Sequence, residues 1–447
     1  MPLILPAAAL AVALAQTARP TQPPQPPPQT EEPAAKKPTK EKKEKKEKKP
    51  KEKPPKPVFR LDDHPTLHFG KGTKIDFRAH YRTDVTDSEA PTGVADDVSA
   101  IDLAKKRVGV TGEIKNAVEF HVQYAIGAID PWHDVYVEYK QFDVARVRAG
   151  RFKLPFSLDE NTGMTGLDFA FRSLAATHLA PGRDDGVMAR GRVLKSIVGY
   201  EAGVFQHDGK NARTNNVAKV YGGQTTAARV TVDPLRNKTD FNGDMSIGVA
   251  FTTSNVPEGI GAVRGQTVLG QNFFSASHLF VNGQRRRIGV EAQVRPGPFS
   301  AKAEYMRLET QRRGESVEDT DLSPLVGEGW YVSGTWAVTG DRKAEGLVRP
   351  KRPLLQGGVG AIEVAGRVEE LKFHSGSSGD APSSAPRADV VLPNRDRAQT
   401  VGVNWYVNRF VKIQFNLIRE TLDDPSHGPL PSKAKFLSKV IRFQFSL

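Results

Sequence analysis

From Thr400 to Glu420 the chain reads TVGVNWYVNRFVKIQFNLIRE, and its apolar residues fall on alternate positions. Val401, Val403, Trp405 and Val407 share one face, while Gly402, Asn404 and Tyr406 share the other. After Asn408-Arg409 the alternation resumes, with Val411, Ile413, Phe415 and Leu417 against Lys412, Gln414 and Asn416. A side-chain period of two belongs to the β-strand, so two such runs about a tight turn predict an antiparallel hairpin. The same period recurs in Lys74–Arg82, Val118–Ala128, Ile288–Glu309 and the closing Leu437–Leu447. No amphipathic helix of ten residues or more competes with it. The chain is therefore expected to be all-β, with one apolar and one charged face to place.

A sandwich would bury the apolar face against a second sheet. A membrane barrel would turn it to lipid and keep the polar face around a lumen. Periodicity alone does not choose, but three further features favour the barrel. MPLILPAAALAVALAQ opens the chain with an apolar stretch too short to cross a bilayer as a helix, and Ala13-Leu14-Ala15 gives it the ending of a cleaved export leader. Aromatic residues at strand ends (Trp132, Trp330, Tyr331, Trp336, Trp405 and Tyr406) suit interfacial girdles. The last strand carries Ile441, Phe443, Phe445 and Leu447 on one face, as a strand that closes a barrel must. Connections alternate between tight ones, such as Asn408-Arg409, and long polar ones, such as 253–280 and 373–398. At roughly 24 residues per strand and connection, residues 58–447 predict about 16 strands around a water-filled lumen. The expected organisation is a signal peptide over 1–15, a Pro/Lys/Glu-rich disordered linker over 16–57, and a transmembrane antiparallel β-barrel over 58–447 in the bacterial outer membrane.

Composition removes other classes. Hydrophobic residues make up 38% of the chain, and no run of 18 apolar residues follows the leader, which excludes a helical membrane protein. Cysteine is absent, so neither disulfides nor thiolate metal sites are available. The formal net charge is +13, and residues 31–57, with 12 Lys and 6 Glu, carry about half of it. That segment cannot bury a core and reads as a solvated spacer, suited to loose adhesion to an anionic envelope polymer. It has no interleaved aromatic residues for base stacking, so nucleic acid is not an expected partner.

Five blocks carry a family resemblance: VARVRAGRFKLPFSL (Val144–Leu158), LAPGRDDGV (Leu179–Val187), GWYVSGTWAVTGDRK (Gly329–Lys343), GAIEVAGRVEEL (Gly360–Leu371) and TVGVNWYVN (Thr400–Asn408). In this order they resemble the phosphate-selective porin family, the O and P porins. The resemblance implies a sixteen-stranded outer-membrane barrel, a homotrimer, passive passage of small anions such as phosphate, and no cofactor. It also implies a long loop, here Leu154–Gly186, folded into the lumen with a lysine at its constriction. No Lys or Arg lies between Leu154 and Phe171, where that lysine would fall, whereas Arg172 and Arg183 match basic positions of the family.

Parity assigns the lumen face. Arg146, Arg148, Arg190, Arg192, Arg229, Arg287, Lys302 and Arg367 are expected to point inward and form the anion path, with Arg172 and Arg183 on the constriction loop. Arg78, Arg82, Arg295 and Lys412 share the inward parity, as do Glu119, Glu138, Glu201, Glu291, Glu304 and Glu363. Roughly fifteen bases against roughly nine acids predict a modest anion preference, with Arg146/Arg148 and Arg190/Arg192 as rungs of a ladder. Each single arginine could equally pair with a neighbouring Glu and stiffen the wall.

Other motifs are weaker. HPTLH (His64–His68) reads as a turn because of Pro65, and DFNGD (Asp240–Asp244) as a hairpin turn lacking the later Glu of a calcium loop. GKGTK (Gly70–Lys74) lacks phosphate-loop spacing. Ser173, His178 and Asp184 are the residues from which a rim hydrolase would have to be built, but no nucleophile–base spacing stands out, and the chain is read as a non-enzyme. The alternatives are a weakly selective general porin of the same fold, an exported soluble β-rich binding protein, and a barrel anchoring its Lys-rich linker.

Overall fold

The computed structural model describes residues 57–61, 64–89, 98–211, 223–237, 242–260, 263–275, 279–344, 347–375, 391–423 and 433–447. The expected leader over 1–15 and linker over 16–57 lie outside them, Pro57 excepted.

Sixteen antiparallel strands close on themselves. The first eight are β1 (Lys74–Glu89), β2 (Val98–Ile114), β3 (Val118–Ile126), β4 (Trp132–Phe142), β5 (Ala145–Lys153), β6 (Arg183–Val193), β7 (Val198–Phe205) and β8 (Thr225–Val232). The second eight are β9 (Gly243–Ile260), β10 (Phe280–Pro296), β11 (Phe299–Arg312), β12 (Leu322–Ala337), β13 (Ala361–Ser375), β14 (Val391–Tyr406), β15 (Val411–Asp423) and β16 (Lys435–Ser446). Each pairs with its sequence neighbour, and β16 returns to β1 in a register running from Leu437↔Glu89 to Ser446↔His80. Closure gives each of these sixteen strands a partner on both sides, as a sheet immersed in hydrocarbon requires.

The hairpin of β14 and β15 shows why these residues make this wall. Val401 and Val403 stand on the outer face with 59% and 41% of their surface exposed, beside Phe415. Asn404, Gln414 and Asn416, one residue out of phase, are buried inside. Such an apolar exterior over a polar interior inverts a soluble sandwich. Trp132, Trp330 and Trp336 are exposed on the outer face as expected for girdles. Tyr331 and Tyr406 are not: both point inward, donating hydroxyl hydrogens to Glu304 at 2.8 Å and Glu363 at 2.9 Å. Each follows a tryptophan, and a period of two lets only one of two successive residues face outward.

Connections at one end are mostly tight, as at 143–144, 297–298 and 407–410, while those at the other include 154–182 and 261–279. Strands run further than expected into two long connections, β9 reaching Ile260 and β13 reaching Ser375 before β14 begins at Val391. One tight-turn-end connection, 338–360, is long and carries a small ladder between Lys343–Ala344 and Leu347–Val348. His64–His68, expected as a turn, is mostly strand: Pro65–His68 pairs with the start of β1 at Thr66↔Asp76. Of Asp240–Asp244 only the last residues are described, and they open β9.

Candidate functional site

Residues 154–182 leave β5, enter the barrel, and return to β6. Two short helices give the loop its shape: α1 (Leu158–Asn161) and α2 (Leu174–Leu179). Ser157 and Ser173 cap them, accepting N–H bonds from Glu160 and Ala176. Helix N-termini leave further N–H groups without partners, and here the barrel wall supplies acceptors. Glu304 on β11 accepts from the N–H groups of Leu158 and Asp159 at 2.7 and 2.8 Å, and Glu369 on β13 accepts from that of Leu174 at 2.6 Å. Between the helices, Asp168 sits 2.9 Å from Lys302 and 2.6 Å from Lys343, the latter reaching in from the 338–360 connection. Lys412 donates to the Leu167 carbonyl at 2.6 Å, and Asn416 accepts from the Ala170 N–H at 2.7 Å. Burial raises the affinity of Asp168 for a proton, but the two ammonium groups outweigh it and hold the carboxyl well below the usual range. The loop is thus fixed at both helices and at the segment between them.

Its apolar side fills part of the barrel. Leu174, Ala175 and Leu179 pack with Phe156, Met306, Leu308, Leu371 and Phe373, joined by Phe273 and Phe274 from the 261–279 connection. One sector of the interior is therefore a dry core, and the aqueous space is confined to the rest. Part of that space is a cavity of about 650 Å³ between β1, β2 and the loop.

Cations dominate its lining. Ten Lys or Arg side chains face it: Arg78, Arg82, Lys105, Arg107, Lys153, Arg172, Arg183, Arg349, Arg409 and Lys412. Two carboxylates face it, Asp134 and Glu160, and both are matched: Asp134 to Arg183 at 2.8 Å, Glu160 to Arg172 at 3.2 Å. The β1–β2 register sets Arg82 beside Lys105 and His80 beside Arg107. Arg78, Lys105 and Arg107 form no ion pair with a carboxylate among the described residues, and the buried Nε of Arg107 meets no acceptor. Burial raises the Glu160 carboxyl, but Arg172 and Lys153 pull it down further, so it is ionised within this field. Burial pushes the His178 imidazole down to about 3, so it stays neutral.

Of the residues expected from the sequence to face the lumen, Arg78, Arg82 and Lys412 line this cavity together with Arg172 and Arg183 of the loop; the eight strand residues assigned to the anion path do not. Arg148 and Arg190 both bind Glu138 at 2.7 Å, Arg146 pairs with Asp143, and Arg192 with Asp233. Arg229 bridges Glu201 and Glu291, and Arg287 is buried on Asp208 at 2.6 Å. Arg146, Arg190, Arg192 and Arg229 instead border a separate cavity of about 410 Å³ together with Glu201 and Asp233. Lys302 and Arg367 hold the loop, Arg367 donating to the Phe171 carbonyl at 3.1 Å and pairing with Glu369 at 2.8 Å. Lys105 and Arg107 were missed although their alternation with Lys106 and Val108 was legible. Arg349 and Arg409 sit on connections, which parity does not reach. Ser173 caps α2, while Asp184 accepts from the N–H groups of His207 and Gly209; no hydrogen bond joins Ser173, His178 and Asp184 among the described residues.

The sequence profile of the phosphate-selective porin O and P family matches residues 74–447, from the start of β1 to the end of the chain. The chain belongs to that family. Porin O of Pseudomonas aeruginosa is 29% identical over 142 residues, a match spanning 30% of this chain and 30% of that protein. Two solved structures share the fold: OprB of Pseudomonas putida, with a TM-score of 0.52 at 12% identity over 84% of this chain and 94% of that one, and the outer membrane channel DcaP of Acinetobacter baumannii, with 0.51 at 10% over 85% and 99%. As a porin of the O and P family the barrel lies in the bacterial outer membrane. The cavity beside the 154–182 loop lies inside this porin's barrel.

Proposed function

We propose that this porin passes small anions, phosphate among them, by passive diffusion. The observation that carries the reading is the lumen lining, with ten cationic side chains against two carboxylates that already have basic partners. Cations crowded around a narrow, low-dielectric-walled space concentrate anions and repel cations. Guanidinium groups suit oxyanions because their forked donors meet two oxygens at once. The family's name, phosphate-selective porin, supports the same substrate class.

Purified protein in a planar bilayer under a potassium chloride gradient tests this. A reversal potential toward the chloride equilibrium value is expected, with phosphate reducing the chloride current; a reversal potential toward potassium overturns it. Strict phosphate selectivity is set against a weakly selective anion pore by one feature, the lack of Lys or Arg between Leu154 and Phe171. Chloride current that phosphate leaves unchanged favours the weaker selectivity. The same reading takes the protein as a non-enzymatic homotrimer, checked by its native mass in detergent. It also takes residues 1–15 as an export leader and 16–57 as a spacer, whose charge in 31–57 favours an anionic envelope polymer. Deleting 16–57 should leave conductance intact while weakening retention on that polymer.

A further inference from the structure

Hydrogen-bond donors and acceptors are unevenly shared on the cavity wall, and the imbalance bears on which oxyanion the pore takes. Both carboxylate side chains that face the cavity are held by bases. Arg183 donates through Nε to one oxygen of Asp134 at 3.1 Å and through a terminal nitrogen to the other at 2.8 Å. Glu160 has Arg172 against one oxygen at 3.2 Å and Lys153 near the other at 3.9 Å. Carboxylates behind the lining are engaged too: Asp84 by two nitrogens of Arg442, each at 2.6 Å, and Asp168 by Lys302 and Lys343. The His80 imidazole turns Nδ1 to the Ser446 hydroxyl at 2.9 Å and keeps Nε2 buried, away from a solute. The carbonyl of Leu447 accepts from the Ala79 N–H at 3.0 Å. Among the described residues the wall therefore presents mainly N–H donors, with amides and hydroxyls such as Gln123, Gln444 and Ser446 as weaker acceptors.

That arrangement separates two oxyanions of the same shape. Sulfate and doubly charged hydrogen phosphate are both tetrahedral dianions, and only phosphate carries a P–OH group that needs an acceptor. A free carboxylate in a binding wall favours phosphate in two ways: it accepts the P–OH proton, and it repels the bare oxygen of sulfate. A carboxylate already gripped by a guanidinium fork does neither well, because its lone pairs and its charge are engaged.

We propose that Arg183 and Arg172, by holding Asp134 and Glu160, make this cavity select fully deprotonated tetrahedral oxyanions, so that sulfate binds at least as well as hydrogen phosphate. This preference presupposes the anion channel proposed above and narrows its substrate class. Each of the two arginines acts on specificity twice, adding a donor to the wall and withdrawing an acceptor from it.

The test titrates full-length protein carrying chloride current in planar bilayers with potassium sulfate or inorganic phosphate. At about pH 8.5 phosphate is mostly a dianion, so the two probes differ by the P–OH alone. Sulfate is expected to halve the chloride current at the same concentration as phosphate or a lower one. Phosphate that acts at a concentration about threefold or more below sulfate overturns the proposal. At about pH 6 phosphate is mostly singly charged while sulfate keeps both charges, and the advantage of sulfate should widen about tenfold. The sulfate arm at each pH calibrates any titration of His64, His80 and His178 beside the cavity, because the charge of sulfate itself stays fixed. At about pH 8.5, Arg183→Gln returns the Asp134 oxygens to the cavity and should move the ratio toward phosphate by about threefold or more. Asp134→Asn should shift both anions alike. A ratio unmoved by Arg183→Gln, or a loss confined to phosphate in Asp134→Asn, overturns the proposal. Reversal potentials under a potassium chloride gradient separate the two readings: a chloride-side value with phosphate favoured rejects this preference alone, and a potassium-side value rejects the anion channel with it.

Discussion

Reversing Arg107 should do more to ion selectivity than reversing any of the paired arginines, and the size of the effect follows from the lumen's dimensions. A cavity of about 650 Å³, taken as a sphere, puts an ion at its centre about 5 Å from the lining. At that distance in water each unit charge contributes about 0.8 kcal/mol, and Arg107→Glu changes two. Screening at 0.1 M salt, where the Debye length is about 10 Å, reduces the sum to about 1 kcal/mol. Anions lose that and cations gain it, so the chloride-to-potassium permeability ratio should fall by an order of magnitude or more. At 1 M salt the Debye length is about 3 Å, and the same variant should shift the ratio only about threefold. Reversal potentials of single channels at both ionic strengths measure this. Arg146→Glu is the control, because Arg146 borders the other cavity and is already paired with Asp143. An unchanged ratio for Arg107→Glu at 0.1 M, or equal shifts for the two variants, would refute the assignment of the lumen to the β1–β2 wall.

Three further predictions concern the loop and the wall. Asp168→Ala leaves Lys302 and Lys343 buried with one fewer carboxylate between them, and breaking a buried pair of this kind costs about 3–5 kcal/mol. Open-channel current noise and protease cleavage within 154–182 should rise while the barrel itself remains folded, and quiet channels with an uncut loop would contradict the clamp. Glu304→Ala removes the acceptor from two N–H groups of α1, a loss of about 1–3 kcal/mol, and should raise conductance through a loosened constriction in bilayer recordings. Gly150 sits at φ +124° with the Val135 carbonyl 2.3 Å from where a Cβ would stand, so Gly150→Val should lower the yield of heat-modifiable folded barrel on gels; wild-type yield would count against the geometry.

The barrel was legible because its rule is local. A period of two, repeated from Lys74 to Leu447, fixes strand and facing together, and closure then follows from strand number and the pairing of Ile441 with Val85. The rule gives less for tyrosines that follow tryptophan, where adjacency in the chain puts Tyr331 and Tyr406 on the opposite face from the girdle. It fails for the lumen for a different reason. Parity says that Arg148, Arg287, Lys302 and Arg107 all point inward, but it does not say which sector of the interior stays wet. That depends on where the 154–182 loop and the 261–279 connection lie down, and their apolar residues fill the β10–β13 side with Phe156, Leu174, Leu179, Phe273 and Phe274. An inward arginine under that core becomes a buried counter-ion or a loop clamp, as Arg287 and Lys302 are. An inward arginine across from it keeps its charge for the solute. The distinction between a structural and a conducting cation is thus set by contacts distant in sequence, such as Asp168 with Lys343, which no short window of residues contains.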